Sequence, residues 1–211
     1  MRVFHFRTKE YAIQSIRERR LKIARIEELN DPFEFLGVRL DDRGFRVAMK
    51  SMKREISMTR GLICFSKSWG NPLQWSHYAE DHKGICLGFD VPRNLLAKVN
   101  YVNSRLRHDG LITLPVMEKI LKTKFRHWQY EKEYRLFIGL DKFEEENGLF
   151  FLGFSHQLKL KQVIVGSRSN VSRSEIAAAL GNFKDEVEVF RTRPAFKTYK
   201  IVRNENEKLW A

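Results

Sequence analysis

The chain has 211 residues, of which 43% are hydrophobic and 12% aromatic, so it is globular rather than disordered and long enough for one domain with a real core. Its 39 Lys and Arg against 26 Asp and Glu leave a formal net charge of +13, an excess that points to a polyanionic partner, most simply nucleic acid. Two cysteines inside apolar runs (Cys64, Cys86), a short charged N-terminus and no apolar run of membrane-spanning length predict a cytoplasmic protein with no membrane partner.

In chain order, Arg2 to Arg7 alternates like a first strand. Thr8 then caps a helix with Ala12, Ile13 and Ile16 on its apolar face. Leu21 to Arg25 forms a short strand that runs into the turn Asn30-Asp31-Pro32, where Asn and Asp bond their own backbone and Pro fixes φ. Residues 41 to 60 form a helix or a mobile insert. Gly61 to Ser66 is a strand. Asn71-Pro72 starts a helix that carries Trp75, His77, Tyr78 and Asp81 and stops near Gly84. Ile85 to Phe89 is again a strand, and a helix begins near Pro115. Strands around 133–140 and 149–154 flank the turn chemistry of Asp141 to Gly148 and predict a hairpin. After the strand Val163 to Val165 and Gly166, Ser172 and Glu175 make a capping box and Gly181 a stop. Val187 to Phe190 and Thr198 to Val202 are the last strands. With no repeat and no linker, residues 1–211 read as a single α+β domain of mixed and antiparallel sheets with short flanking helices.

The most informative stretch is Tyr130-Glu131-Lys132-Glu133-Tyr134-Arg135, which opens the apolar run Leu136-Phe137-Ile138. Read as a strand, it puts Glu131 and Glu133 on one face and Tyr130, Lys132 and Tyr134 on the other. A solvated edge strand is the commoner fate of such a face. The alternative is a paired-carboxylate site that stabilises a developing cation or polarises a hydroxyl. His77 and Asp81 have the spacing of a helical metal pair, but no third ligand is evident, and no metal site is expected. No serine-hydrolase elbow, phosphate-binding loop or dinucleotide fingerprint occurs. Trp75 and Tyr78 could stack on a planar ring, although core packing is the usual role of such residues.

Taken together, Asn30-Asp31-Pro32-Phe33-Glu34, Cys64-Phe65-Ser66, Trp75-Ser76-His77-Tyr78-Ala79, His82-Lys83-Gly84, Leu87-Gly88-Phe89-Asp90, the Trp128 to Arg135 segment and Val163 to Gly166 resemble a bacterial family, the domain of unknown function numbered 2971. The likeness covers most of the chain and makes Asn30, Asp31, His77 and His82 motif residues. A second likeness is to a divergent ADP-ribosyltransferase-like fold, with His5, Ser66 and Glu133 in comparable order on three strands. The Asn-Asp-Pro and Trp-Ser-His-Tyr segments are not part of that transferase pattern.

The second resemblance implies NAD as substrate, Glu133 stabilising an oxocarbenium-like ribosyl cation and Glu131 orienting or deprotonating an acceptor. It also implies His5, Arg7, Ser66, Trp75 and Tyr78 as NAD-binding residues, with Trp75 or Tyr78 packing the nicotinamide. The acceptor would be a macromolecule, with nucleic acid suggested by the charge. Two other functions fit the residues: a non-catalytic nucleic-acid-binding module with a degenerate site, and a metal-dependent nuclease using scattered carboxylates such as Asp31 and Asp90.

Overall fold

The computed structural model describes residues 1–107, 112–206, 208 and 210. Strand β1 (Arg2–Arg7) leads through helix α1 (Lys9–Glu18) to β2 (Arg20–Arg25), and helix α2 (Arg43–Thr59) to β3 (Arg60–Ser66). Helix α3 (Pro72–Tyr78) precedes β4 (Ile85–Asp90), the short strands β5 (Ala97–Lys98) and β6 (Asn100–Val102), helix α4 (Leu114–Leu121) and β7 (Thr123–Phe125). Then follow β8 (Glu133–Gly139), β9 (Phe150–Gly153), β10 (Lys159–Val165), α5 (Arg173–Leu180), β11 (Glu188–Pro194) and β12 (Ile201–Arg203). The class is α+β, and no helix among the described residues is long and apolar enough to cross a membrane.

One mixed sheet organises the chain, with the order β12-β11-β10-β4-β1-β3-β2-β9, and β8 lying between β3 and β5. Among the described residues only β10 and β11 pair in parallel within it, as expected for two strands joined by a crossover helix, here α5. On one face Val3, Phe65, Leu87, Val163 and the apolar stripes of α1 and α5 form the main core. On the other, Phe4, Cys86, Ile164 and Phe190 pack around Trp75 of α3.

β3 is where the sheet forks. Along β8 it is paired from Arg60 to Ser66. Its opposite edge is divided: β2 pairs only at Leu62 and Gly61, and β1 touches it at the single pair Phe4↔Ser66. Between these contacts Ile63 to Phe65 lack a ladder partner on that side. The gap is partly closed by a side chain, because His5 Nδ1 lies 2.8 Å from the Cys64 carbonyl.

Several elements depart from the sequence-based expectations. The segment 141–148 does not close a hairpin. β9 pairs with β2 and β8 with β3 and β5, since turn residues allow a reversal without choosing the strand's neighbour. Helix α3 ends at Tyr78, and Glu80, Asp81 and His82 all take positive φ, so His77 and Asp81 are not a helical pair. The region 41–60 is a helix whose Asp42 cap accepts from Phe45 N at 2.7 Å. The capped starts at Asn71 and Ser172 are as expected, with Asn71 Oδ1 accepting from Leu73 N and Ser172 Oγ from Glu175 N.

The turn after α3 is held against the end of β10. Gly166 N donates to Gly84 O and Arg168 N to His82 O, both at 3.0 Å. A Cβ on Gly166 would stand 2.1 Å from His82 O and 2.8 Å from Gly84 O. Backbone atoms cannot rotate away as a side chain can, so Gly166→Ala is expected to destabilise the fold by about 1–3 kcal/mol or more. Urea denaturation checks this as a lowered midpoint at unchanged slope.

Candidate functional site

The site begins with two local devices. In the Asn30-Asp31-Pro32 turn, the Asp31 carboxylate accepts from Phe33 N at 2.9 Å and its carbonyl accepts from Glu34 N at 3.0 Å. This Asx turn projects Glu34 into the interior and sends Asn30 Nδ2 to Tyr78 OH at 3.1 Å. The second device corrects the strand reading. Arg126–Glu131 is a run of 3-10 helix ended by Lys132 in the left-handed region at φ 48°, and the strand starts only at Glu133. Glu131 and Glu133 nevertheless converge on the same place, and both are buried. The solvated-edge alternative is therefore excluded.

Five charged side chains meet there. Arg135 Nε donates to Glu133 Oε1 at 2.7 Å, and its terminal nitrogens reach Glu34 Oε1 at 2.5 Å and the Leu121 carbonyl at 2.8 Å. Lys124 Nζ lies 2.7 Å from Glu131 Oε2, 3.3 Å from Glu133 Oε2 and 3.5 Å from Glu34 Oε1. Tyr78 OH donates to Glu131 Oε1 at 2.5 Å, and Tyr101 OH accepts from Glu133 N at 2.8 Å. Three carboxylates against two cations leave a formal excess of one negative charge. Such a cluster is tolerable only because nearly every oxygen has a charged or hydroxyl partner.

The two glutamates of the motif differ electrostatically. Burial disfavours the ionised form of Glu133, but the Arg135 guanidinium and Lys124 outweigh it and hold the carboxyl down at about 2. Glu131 moves the other way: burial raises its pKa, and the neighbouring Glu133 adds to the rise against the pull of Lys124 and Tyr78. Lys124 itself is desolvated but held protonated by the three carboxylates. Glu131 is thus the more proton-affine member, and Glu133 stays ionised until the pH falls toward about 2.

A cavity of about 290 Å³ lies over the fork between β1 and β3, walled by Phe4, His5, Phe6, Cys64, Gln74, Tyr78, Lys124 and both glutamates among others. Residues from both faces of β1 reach it because the cavity wraps the strand's unpaired edge. Burial pushes the His5 imidazole down to about 3, so it is neutral. The Cys64 carbonyl can only accept, so Nδ1 carries the proton and Nε2 keeps a lone pair.

The remaining candidates divide sharply. Ser66 also borders the cavity; it is buried, and its hydroxyl lies 2.6 Å from the Glu131 carbonyl and accepts from Ser68 N at 3.1 Å, which pins the glutamate loop. Trp75 is 0% exposed and donates to the Trp69 carbonyl at 2.6 Å. The ring-packing role expected for it is corrected to core packing, which leaves Tyr78. Arg7 lies beyond the cavity wall on His5's face of β1, 5.7 Å from the Tyr11 ring centroid. Burial lowers its pKa, and it makes no ion pair among the described residues. His77 bonds Tyr130 OH at 2.8 Å outside the cavity, and His82 stacks on Trp75. Of the carboxylates that a nuclease would need, Asp31 serves its turn and Asp90 pairs with Arg2 at 2.7 Å.

Residue-type reasoning gave no role to Glu34, Lys124 or Arg135. The alternation of Glu133 and Arg135, opposite charges two apart on one strand face, was the available signal for the last. Nothing local marks Lys124 as buried. No family model matches the chain, and neither the curated proteins nor the solved structures provide a match.

A carboxyl lowered on folding stabilises the protein above its unfolded pKa, and this stabilisation is lost as pH falls through 4.5 toward about 2. Glu133→Gln is therefore expected to be less stable than the wild type by on the order of 3 kcal/mol at pH 7. The gap should narrow below pH 4.5, as followed by urea denaturation across pH. Glu131→Gln should show no such acid-side convergence, because its pKa moves the opposite way.

Proposed function

We propose that this chain is a divergent ADP-ribosyltransferase-like enzyme, related to the family of unknown function 2971, that cleaves NAD and transfers ADP-ribose to a macromolecular acceptor. The observation that supports it most is the fork between β1 and β3. Around one cavity lie a neutral histidine from β1 and two unlike glutamates, one in the turn before β8 and one at its start.

The bond that breaks joins the nicotinamide nitrogen to C1 of its ribose. The nitrogen takes the bonding pair and becomes neutral, the ribose becomes oxocarbenium-like, and an acceptor atom closes on C1 and loses its proton. Glu131 suits the last step: its raised proton affinity and its place between Tyr78 and Lys124 make it the base. This exchanges the roles that the motif alone suggests, because Glu133 is neutralised by Arg135 and serves to position Lys124 and the β8 backbone. His5 Nε2 accepts from a ribose hydroxyl, and Tyr78 packs the nicotinamide. The cavity is near the small end of ligand sites. It would hold the nicotinamide–ribose end, with the pyrophosphate outside, toward Arg7.

Calorimetric titration with NAD and chromatographic release of nicotinamide test this. The wild type should bind NAD saturably and release nicotinamide. Glu131→Gln should lose turnover by roughly 10²–10⁴-fold while its affinity changes only a few-fold. Absence of NAD binding by the wild type at millimolar concentration would remove the reading, and a fully active Glu131→Gln would remove the role assigned to Glu131.

A further inference from the structure

The turn between β11 and β12 presents two aromatic rings to solvent with nothing packed over them from the rest of the fold. Phe196 is 88% exposed and Tyr199 100% exposed. Burying such rings is favourable, so a ligand that stacked on this ordered turn would gain that burial at little conformational cost. The turn is ordered by its own hydrogen bonds: Ala195 N donates to Lys200 O and Lys200 N to Thr198 O, both at 2.9 Å. It is anchored to the body through Ile201 N, which donates to Gly70 O at 2.9 Å, two residues before α3 begins.

The turn itself carries only positive charge, the nearest acids in sequence, Glu188 and Glu205, being paired with Arg203. From Val189 to Asn204 the chain carries Arg191, Arg193, Lys197, Lys200 and Arg203 and no Asp or Glu. Lys197 and Lys200 are exposed and make no ion pair among the described residues. The Arg193 guanidinium lies 4.1 Å from the Phe196 ring centroid, so one face of that ring already carries a cation and the other is open.

We propose that this turn is a binding platform for single-stranded nucleic acid, with unpaired bases stacking on Phe196 and Tyr199 and the backbone phosphates lying along Lys197, Lys200 and Arg193. Base–aromatic stacking beside cations that track the backbone is the usual means of holding a single strand with little sequence preference. A duplex hides its base faces and offers the rings nothing. An anionic membrane would also meet lysines and aromatics. It fits less well, because Arg193 occupies one face of Phe196, and two rings on a short turn give little apolar area to insert. The inference does not depend on NAD cleavage, since none of the platform residues lines the cavity.

The test uses the full chain with fluorescein-labelled oligo(dT) and oligo(rU) of about twelve nucleotides, a duplex of the same length, and anionic phospholipid vesicles. The wild type should bind the single strands more tightly than the duplex, and the two oligonucleotides show whether DNA or RNA is preferred. Phe196→Ala/Tyr199→Ala should fold normally, both rings being exposed, and should weaken single-strand binding by roughly tenfold or more. Lys197→Ala/Lys200→Ala should flatten the dependence of log K on log salt by about one to two. Single-strand affinity unchanged in the aromatic double variant, equal affinity for the duplex, or ring-dependent binding to vesicles alone would each overturn the proposal.

Discussion

The buried charge cluster is the interaction on which the rest of the molecule depends. Glu34 comes from the loop after β2, Lys124 from β7, Glu131 from the turn before β8, and Glu133 and Arg135 from β8 itself. None of these segments is long, and several carry little apolar surface of their own. What holds them in register is electrostatic necessity: each charge, once desolvated, would be intolerable without the others. Hydrophobic residues of similar volume can pack as well, but they would not require the loop, β7 and β8 to meet in one arrangement.

The fork in the sheet has a different origin. An antiparallel neighbour would normally satisfy the whole edge of β3, but β1 and β2 divide that edge between them and leave Ile63 to Phe65 unaccompanied. An open edge is usually a liability. Here it faces inward, covered by α3 and the Asn30–Glu34 turn, and the Cys64 carbonyl is satisfied by a side chain. A largely apolar cavity with charged groups at one end results from a missing stretch of β-ladder, without any large rearrangement of the surrounding core.

Local chemistry made much of the fold legible. Asn71-Pro72 and Ser172 with Glu175 marked helix starts because a cap and its partner lie within one turn of sequence. The α+β class followed from short strands interleaved with short helices. What was not legible depends on distant partners. Nothing in Asp141 to Gly148 says that β9 should seek β2, and nothing in Trp75 separates a core tryptophan from a ligand-stacking one. The glutamate pair was legible as two carboxylates that converge, but its secondary structure was not, since a left-handed Lys132 has no signature when the residue is not glycine. Lys124 shows the limit most clearly: only the three-dimensional convergence of three acids explains a buried lysine.

The uneven charge count of the cluster bears on how a reaction cycle would close. On the proposed chemistry, intact NAD brings a pyridinium ring with one positive charge to a cavity whose wall carries one surplus negative charge. Cleavage removes the positive charge from the ring, because the departing nitrogen keeps the bonding electrons. The leaving nicotinamide would then be a neutral guest with no charge for the cluster to hold, and Coulomb attraction in a poorly solvated site falls to nearly nothing when one partner loses its charge. The imbalance that favours the charged substrate would thus give no hold on the neutral first product, and five side chains would discriminate between the two by charge alone.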